Sequence, residues 1–179
     1  MPLTPPVPRE RLHTRSIVCD GYRRGDGLFD VEARLVDTKS HAFPLMSGVR
    51  DPGEPVHDMW IRVTIDREFA IHAVDASIPS APYPGGCDRI EGAYRKLVGA
   101  NLARGFRRVV KDALGGVHGC SHLTELVGLL PSVAVQTFAS LRREIEGAEK
   151  PFQLDRCHAL DTRSETVRRY YPKWYRGAA

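Results

Sequence analysis

Cysteine is scarce in this chain. Cys19, Cys87, Cys120 and Cys157 are spread over 179 residues, and none forms a Cys-x-x-Cys pair. That spacing excludes a disulfide-dense scaffold and points to free thiols or metal ligands in a reducing compartment. Long apolar runs are missing too: none approaches the roughly 20 residues that a membrane-spanning helix needs. The N-terminus has neither the apolar core nor the basic cluster of a secretory signal, so the cytoplasm is the expected address. There is no large excess of one charge. The net charge of +4 is modest and the basic residues are dispersed, which speaks against nucleic acid as a partner. The densest basic stretch, 163–176, also carries Tyr170, Tyr171, Trp174 and Tyr175, and reads as an ordered tail. Several catalytic signatures are absent: G-x-x-x-x-G-K-[ST], a strand-borne G-x-G-x-x-G, G-x-S-x-G and H-E-x-x-H.

What remains is an ordinary globular composition, 42% apolar and 27% charged, long enough for one real core. Ten of the thirteen prolines precede Gly85, so strands and turns belong to the first half and helices to the second. The expected layout is a single domain over 1–179. It comprises a Pro-rich arm (1–14), a mainly β region (15–78), a mainly α region (87–146), and a connector with a C-terminal tail (147–179). Alternation predicts strands at Arg15 to Cys19, Asp30 to Leu35, Ile61 to Ile65 and Phe69 to Ala76. The region from Lys39 to Pro55 reads as a long loop. Helical spacing links Ile90, Ala93, Tyr94, Leu97 and Val98, and again Phe106, Val109, Val110, Ala113 and Leu114, where Gly115-Gly116 ends the helix. A long third helix carries Leu123, Leu126, Val127, Leu130, Ala134, Phe138, Leu141 and Ile145, with Pro131 expected to kink or divide it. The fold class is therefore α+β: an antiparallel sheet from the N-terminal half packed against helices from the C-terminal half.

The chemistry concentrates in His118-Gly119-Cys120-Ser121-His122, two imidazoles and a thiol within five residues. Ser121 suits an N-cap, which places Cys120 just ahead of a helix start, where the helix dipole favours a thiolate. A thiolate beside histidines is a nucleophile or a metal ligand; the bland alternative is a small buried hydrophobe. Cys87, after Pro84-Gly85-Gly86, is a second thiol at a helix start. His57-Asp58, where a loop meets the sheet, offers a ligand or a general acid–base. Cys157-His158 repeats the thiol–imidazole pairing late in the chain. His13, His41 and His72 read as surface histidines, and Asp37, Asp66 and Asp75 as turn formers.

Several phrases resemble a bacterial domain-of-unknown-function family of the DUF 2889 type, which carries a Gly-Cys-Ser/Thr-His-Leu motif. They are Leu12-His13-Thr14-Arg15, the stretches 27–33 and 35–39, His57-Asp58-Met59-Trp60, Ala81-Pro82-Tyr83-Pro84, the stretch 119–126 and Cys157-His158-Ala159-Leu160. The resemblance covers nearly the whole chain and implies acyl-CoA or aromatic-acid catabolism as a setting. A second, weaker resemblance is to the iron–sulfur scaffold fold of the IscU/NifU type. It sets Met59 to Ala76 as a hairpin, Gly86-Cys87 as the ligand loop, His118-Gly119-Cys120 as the His-Cys pair, and Val56-His57-Asp58 in the first ligand position. It implies that Asp58 or His57, Cys87, His118 and Cys120 converge on Zn²⁺ or iron. The function expected is a small metal- or thiol-dependent enzyme acting on an anionic small molecule. Its catalytic residues would be Cys120, His122 and His57, and its metal ligands Asp58, Cys87, His118 and Cys120. No organic cofactor is expected, and a homo-oligomer is compatible with the sequence. The rivals are a metal or iron–sulfur carrier and a structural zinc protein.

Overall fold

The computed structural model describes residues 3–139 and 150–177. They fall into two compact units divided between Ser140 and Leu141. In the first unit, four strands form an antiparallel sheet in the order β1-β2-β5-β6: β1 (His13–Arg23), β2 (Phe29–Lys39), β5 (Pro55–Ile65) and β6 (Ile71–Ser80). The α+β class read from the sequence is the fold observed. The stretch expected to be a long loop holds its own two-stranded ribbon, β3 (Phe43–Leu45) with β4 (Gly48–Arg50). This ribbon joins β2 to β5, which pair directly, Leu35 opposite Met59 and Val31 opposite Val63.

Strand alternation decides what each side chain meets. Phe29, Val31, Ala33, Leu35 and Asp37 of β2 share one face, and all are buried. Met59, Ile61, Val63 and Ile65 continue that face on β5. The strands run past the expected limits because pairing with a neighbour extends them beyond their apolar stretch. β6 starts at Ile71 rather than at Phe69. Phe69 instead takes a left-handed backbone (φ 67°) in the turn and sets its ring 5.0 Å from Phe138. Pro79 fits within β6 because β6 is an edge strand.

Helices cover the buried face. The first helical segment, Asp88–Leu97, is 3₁₀ rather than α, and packs on β6. Helix α1 (Phe106–Leu114) ends where the Gly-Gly pair predicts. Helix α2 (Ser121–Ala139) is continuous through Pro131, so the proline does not divide it. Leu141 and Ile145, expected on the same helix, lie outside the described residues. α2 crosses β1, β2 and β5. The fit is close at Gly21, where an added Cβ would stand 1.8 Å from Thr137 Oγ1. At one end of the helix Phe138 meets Phe29, ring centroids 4.5 Å apart. At the other, Glu125 meets Arg15. α2 therefore runs antiparallel to β2, and its N-terminus lies over the rim where β2 ends at Asp37.

The second unit has a small core that includes Leu154, Thr162 and Val167. Its helix α3 (Glu165–Tyr170) is capped by Ser164, whose side chain accepts from the Val167 N–H. Asp155 orders the preceding turn by accepting from the Thr162 N–H at 2.8 Å and from Lys150 at 2.6 Å. Cys157 and His158 are exposed in this unit.

Candidate active site

Asp37 is the pivot of the site. It occupies the inward phase of β2 at its last turns and is 3% exposed. A carboxylate so placed needs partners, and it has several. Arg15 on β1 donates from Nε to Oδ1 at 2.9 Å and from Nη2 to Oδ2 at 2.8 Å, a bidentate fork. His57 on β5 brings Nδ1 to 3.0 Å from Oδ2. His13 brings Nε2 to 3.3 Å from Oδ1. The Arg15 guanidinium holds the Asp37 carboxyl below the usual carboxylate range despite its burial. Arg15 also donates from Nη1 to Glu125 on α2, at 2.5 Å, which ties the helix start to the sheet.

His122, on the first turn of α2, stacks on His57, ring centroids 4.0 Å apart and planes 32° apart. Burial pushes both imidazoles below their ordinary value. His57 is lowered further by His122, against the opposing pull of Asp37; His122 is lowered further by Arg15. Both are therefore neutral at neutral pH, the form that ligates a metal or accepts a proton. Asp37, His57 and His122 each offer one ligand atom within 4.8 Å of the others. Among the described residues this is the cluster of carboxylate, imidazole and thiol groups that could hold an ion.

Cys120 lies beside it. Its carbonyl accepts the Thr124 N–H at 2.9 Å, the first bond of the helix, so Cys120 itself takes the N-cap place expected for Ser121. The Tyr94 hydroxyl locks this residue. It accepts the Cys120 N–H at 3.0 Å and lies 2.9 Å from the Cys120 carbonyl and 3.0 Å from Thr124 Oγ1. Gly119 must be a glycine, since a Cβ there would stand 2.4 Å from the Leu114 carbonyl. The thiol Sγ lies 4.0 Å from His122 Nδ1 and 4.0 Å from Met59 Sδ.

The structure thus brings together His57, His122 and Cys120 of the expected residues, and leaves out three. Asp58 is a correction. It follows His57 on an extended strand and so points to the opposite face, where Arg34 holds it from Nε at 2.9 Å and from Nη2 at 2.8 Å. His118 is exposed in the short 3₁₀ turn Gly116–His118, ahead of the glycine that turns the chain. Cys87 precedes the 3₁₀ segment and gives its N–H to the Tyr83 carbonyl at 3.0 Å. Neither belongs to the ligand cluster. Asp37, Arg15 and Tyr94 are the residues of this candidate site that sequence reasoning missed, Asp37 being read there as a turn former. One signal existed for Asp37: it continues the two-residue phase of Phe29, Val31, Ala33 and Leu35, which places a carboxylate in the core.

Fold and site together define an α+β protein with an Asp-His-His cluster and a thiol at a sheet rim, under a helix N-terminus. The chain belongs to the family described as a protein of unknown function, DUF2889, whose model matches residues 13–136. The match spans every residue of the cluster and ends within the first unit. No curated protein and no solved structure matches the chain. Among the described residues no helix is long and apolar enough to cross a membrane.

Proposed function

We propose that this chain is a small metal-dependent enzyme acting on an anionic small molecule, with Asp37, His57 and His122 as the ligands of the ion. The convergence of these three groups carries the reading. Two donors held side by side at about 2.1 Å from one ion stand about 3 Å apart. The contact between His57 Nδ1 and Asp37 Oδ2, 3.0 Å, matches that edge, and serves as a hydrogen bond when no ion is bound. Two imidazoles and one carboxylate occupy one side of an ion and leave positions for water and substrate, a donor set suited to iron or zinc. Such an ion polarises a carbonyl or activates a water, and itself attracts an anionic substrate. Arg15 keeps Asp37 ionised and aimed. Acyl thioesters or aromatic acids are the preferred substrate area, on the family resemblance.

Metal analysis of freshly purified protein tests this. The expected result is close to one ion per chain, lost in His57→Gln and in His122→Gln while the circular dichroism spectrum persists. Metal-free protein that takes up neither iron, zinc nor cobalt would sink the reading. The approach of Cys120 Sγ to His122 Nδ1, 4.0 Å, favours a second one, in which Cys120 is a nucleophile and His122 its base. Full activity in metal-free protein, abolished by alkylation of Cys120, would select it. A carrier or structural zinc role would be marked instead by four protein donors and no water on the ion.

A further inference from the structure

We infer that the site takes a small organic acid whose free carboxylate lies a benzene ring's length from the group that reacts at the ion, and that Lys39 binds this carboxylate. The inference rests on the reading of Asp37, His57 and His122 as ligands of an ion. It adds the residue that selects what the ion acts on.

Placement comes first. Pairing between β1 and β2 runs unbroken to its end, with Arg15 opposite Asp37 and His13 opposite Lys39. Residues directly opposite in an antiparallel pair share a face. His13 shows which face this is, since its Nε2 lies 3.3 Å from Asp37 Oδ1. Lys39 therefore follows Asp37 in the inward phase of β2, one step further out at the rim, and is half-buried there. Two residues of extended chain set its Cα about 6.7 Å from that of Asp37. Its backbone is fixed, because its carbonyl accepts the Gly53 N–H at 2.9 Å.

Charge supplies the second argument. The carboxylates of the rim are already answered: Arg15 holds Asp37 through two bonds and Glu125 through a third. Arg50, on the ribbon that leaves the same rim, is paired with Glu54. Lys39 has no carboxylate partner among the described residues; its ammonium stands over the Phe43 ring, 5.1 Å from the centroid. A ring face steadies a cation without neutralising it, so this charge is available to an anion.

The spacing selects the anion. A benzene ring holds a carboxylate and its para substituent at a separation close to that between Lys39 and the cluster. The phosphates of a coenzyme A thioester lie far beyond it, at the end of the pantetheine arm. Lys39 thus reads the acid itself rather than a coenzyme handle, and a charge-assisted bond there orients the acid toward the ion.

Cobalt(II)-loaded full-length protein, prepared anaerobically, tests the inference with benzoate and terephthalate, which carry one and two carboxylates on the same ring. Binding is read from the change that a carboxylate on the ion makes in the visible cobalt bands. Terephthalate should bind at least about tenfold more tightly than benzoate, the low end for a hydrogen bond to a charged group. Lys39→Met should abolish that preference with cobalt stoichiometry and benzoate affinity unchanged, and Lys39→Arg should retain most of it. Coenzyme A should bind Lys39→Met and the unsubstituted protein equally. A preference that is absent or survives Lys39→Met, or a coenzyme A affinity that depends on Lys39, would overturn the inference while leaving the Asp37, His57 and His122 reading intact. No cobalt uptake at all would overturn both.

Discussion

The two faces of the sheet treat the same kinds of residue in opposite ways. On the outer face, Arg34 holds Asp58 and lies over the Trp60 ring, 4.7 Å from its centroid. Arg62 holds Asp75 at 2.8 Å and reaches Glu32 at 3.4 Å. These groups stay partly solvated, where an ion pair contributes about 0–1 kcal/mol. On the inner face the residues are apolar until the rim. There Asp37 and His57 enter the phase of the core and find Arg15, His122 and the start of α2. A carboxylate in that position persists only because its oxygens are saturated with donors. The comparison teaches that residue type alone says little about function here; the face it occupies decides. Neighbours on one strand, His57 and Asp58, have different fates for this reason.

The contrast can be broken most severely at Asp37. Asp37→Asn strips the charge from the buried end of the fork and leaves Arg15 with Glu125 as its counter-charge, and should cost about 3 kcal/mol in chemical denaturation, since each charge-assisted bond of the fork contributes about 1.5–3 kcal/mol. A loss under 1 kcal/mol would mean that the inner rim is as forgiving as the outer face. Leu35→Ala, two residues earlier on the same face and fully buried, should cost about 2–5 kcal/mol through the cavity it leaves. Its effect on bound metal should be small, which separates packing from ligation.

Tyr94→Phe removes the hydroxyl that locks Cys120 and leaves buried polar groups unpaired, at a cost of about 1–3 kcal/mol. Faster hydrogen exchange at the Cys120 amide in that variant would show the lock directly, and an unchanged rate would dismiss it. Asp58→Asn should shift stability by about 1 kcal/mol or less and leave metal content untouched. A drop in bound metal would put Asp58 back in the site. His118→Gln, on an exposed turn, should change neither quantity.

Much of the fold was legible because period-two and helical spacing are local properties. Phe29 to Leu35 and Ile61 to Ile65 declare a buried face, and Leu123 to Phe138 declare the helix that covers it. The 3₁₀ geometry of Asp88–Leu97 was not legible, since 3₁₀ and α segments bury similar residues over short lengths. Nor was the β3–β4 ribbon, whose three-residue strands are too short to show a period.

By itself, the sequence determined the α+β class, the order of the elements and the helix start at Cys120-Ser121-His122, because each depends on neighbours within a few residues. It also contained the phase that sends His57 inward and Asp58 outward. Only the tertiary structure decided which distant groups meet. β2 pairs with β5 across the fifteen residues 40–54, and α2 lands on both, antiparallel to β2; together these bring Asp37, His57, His122 and Cys120 to one rim. That meeting depends on strand register and on where a helix docks. Both are set by the fit of whole surfaces rather than by any local pattern.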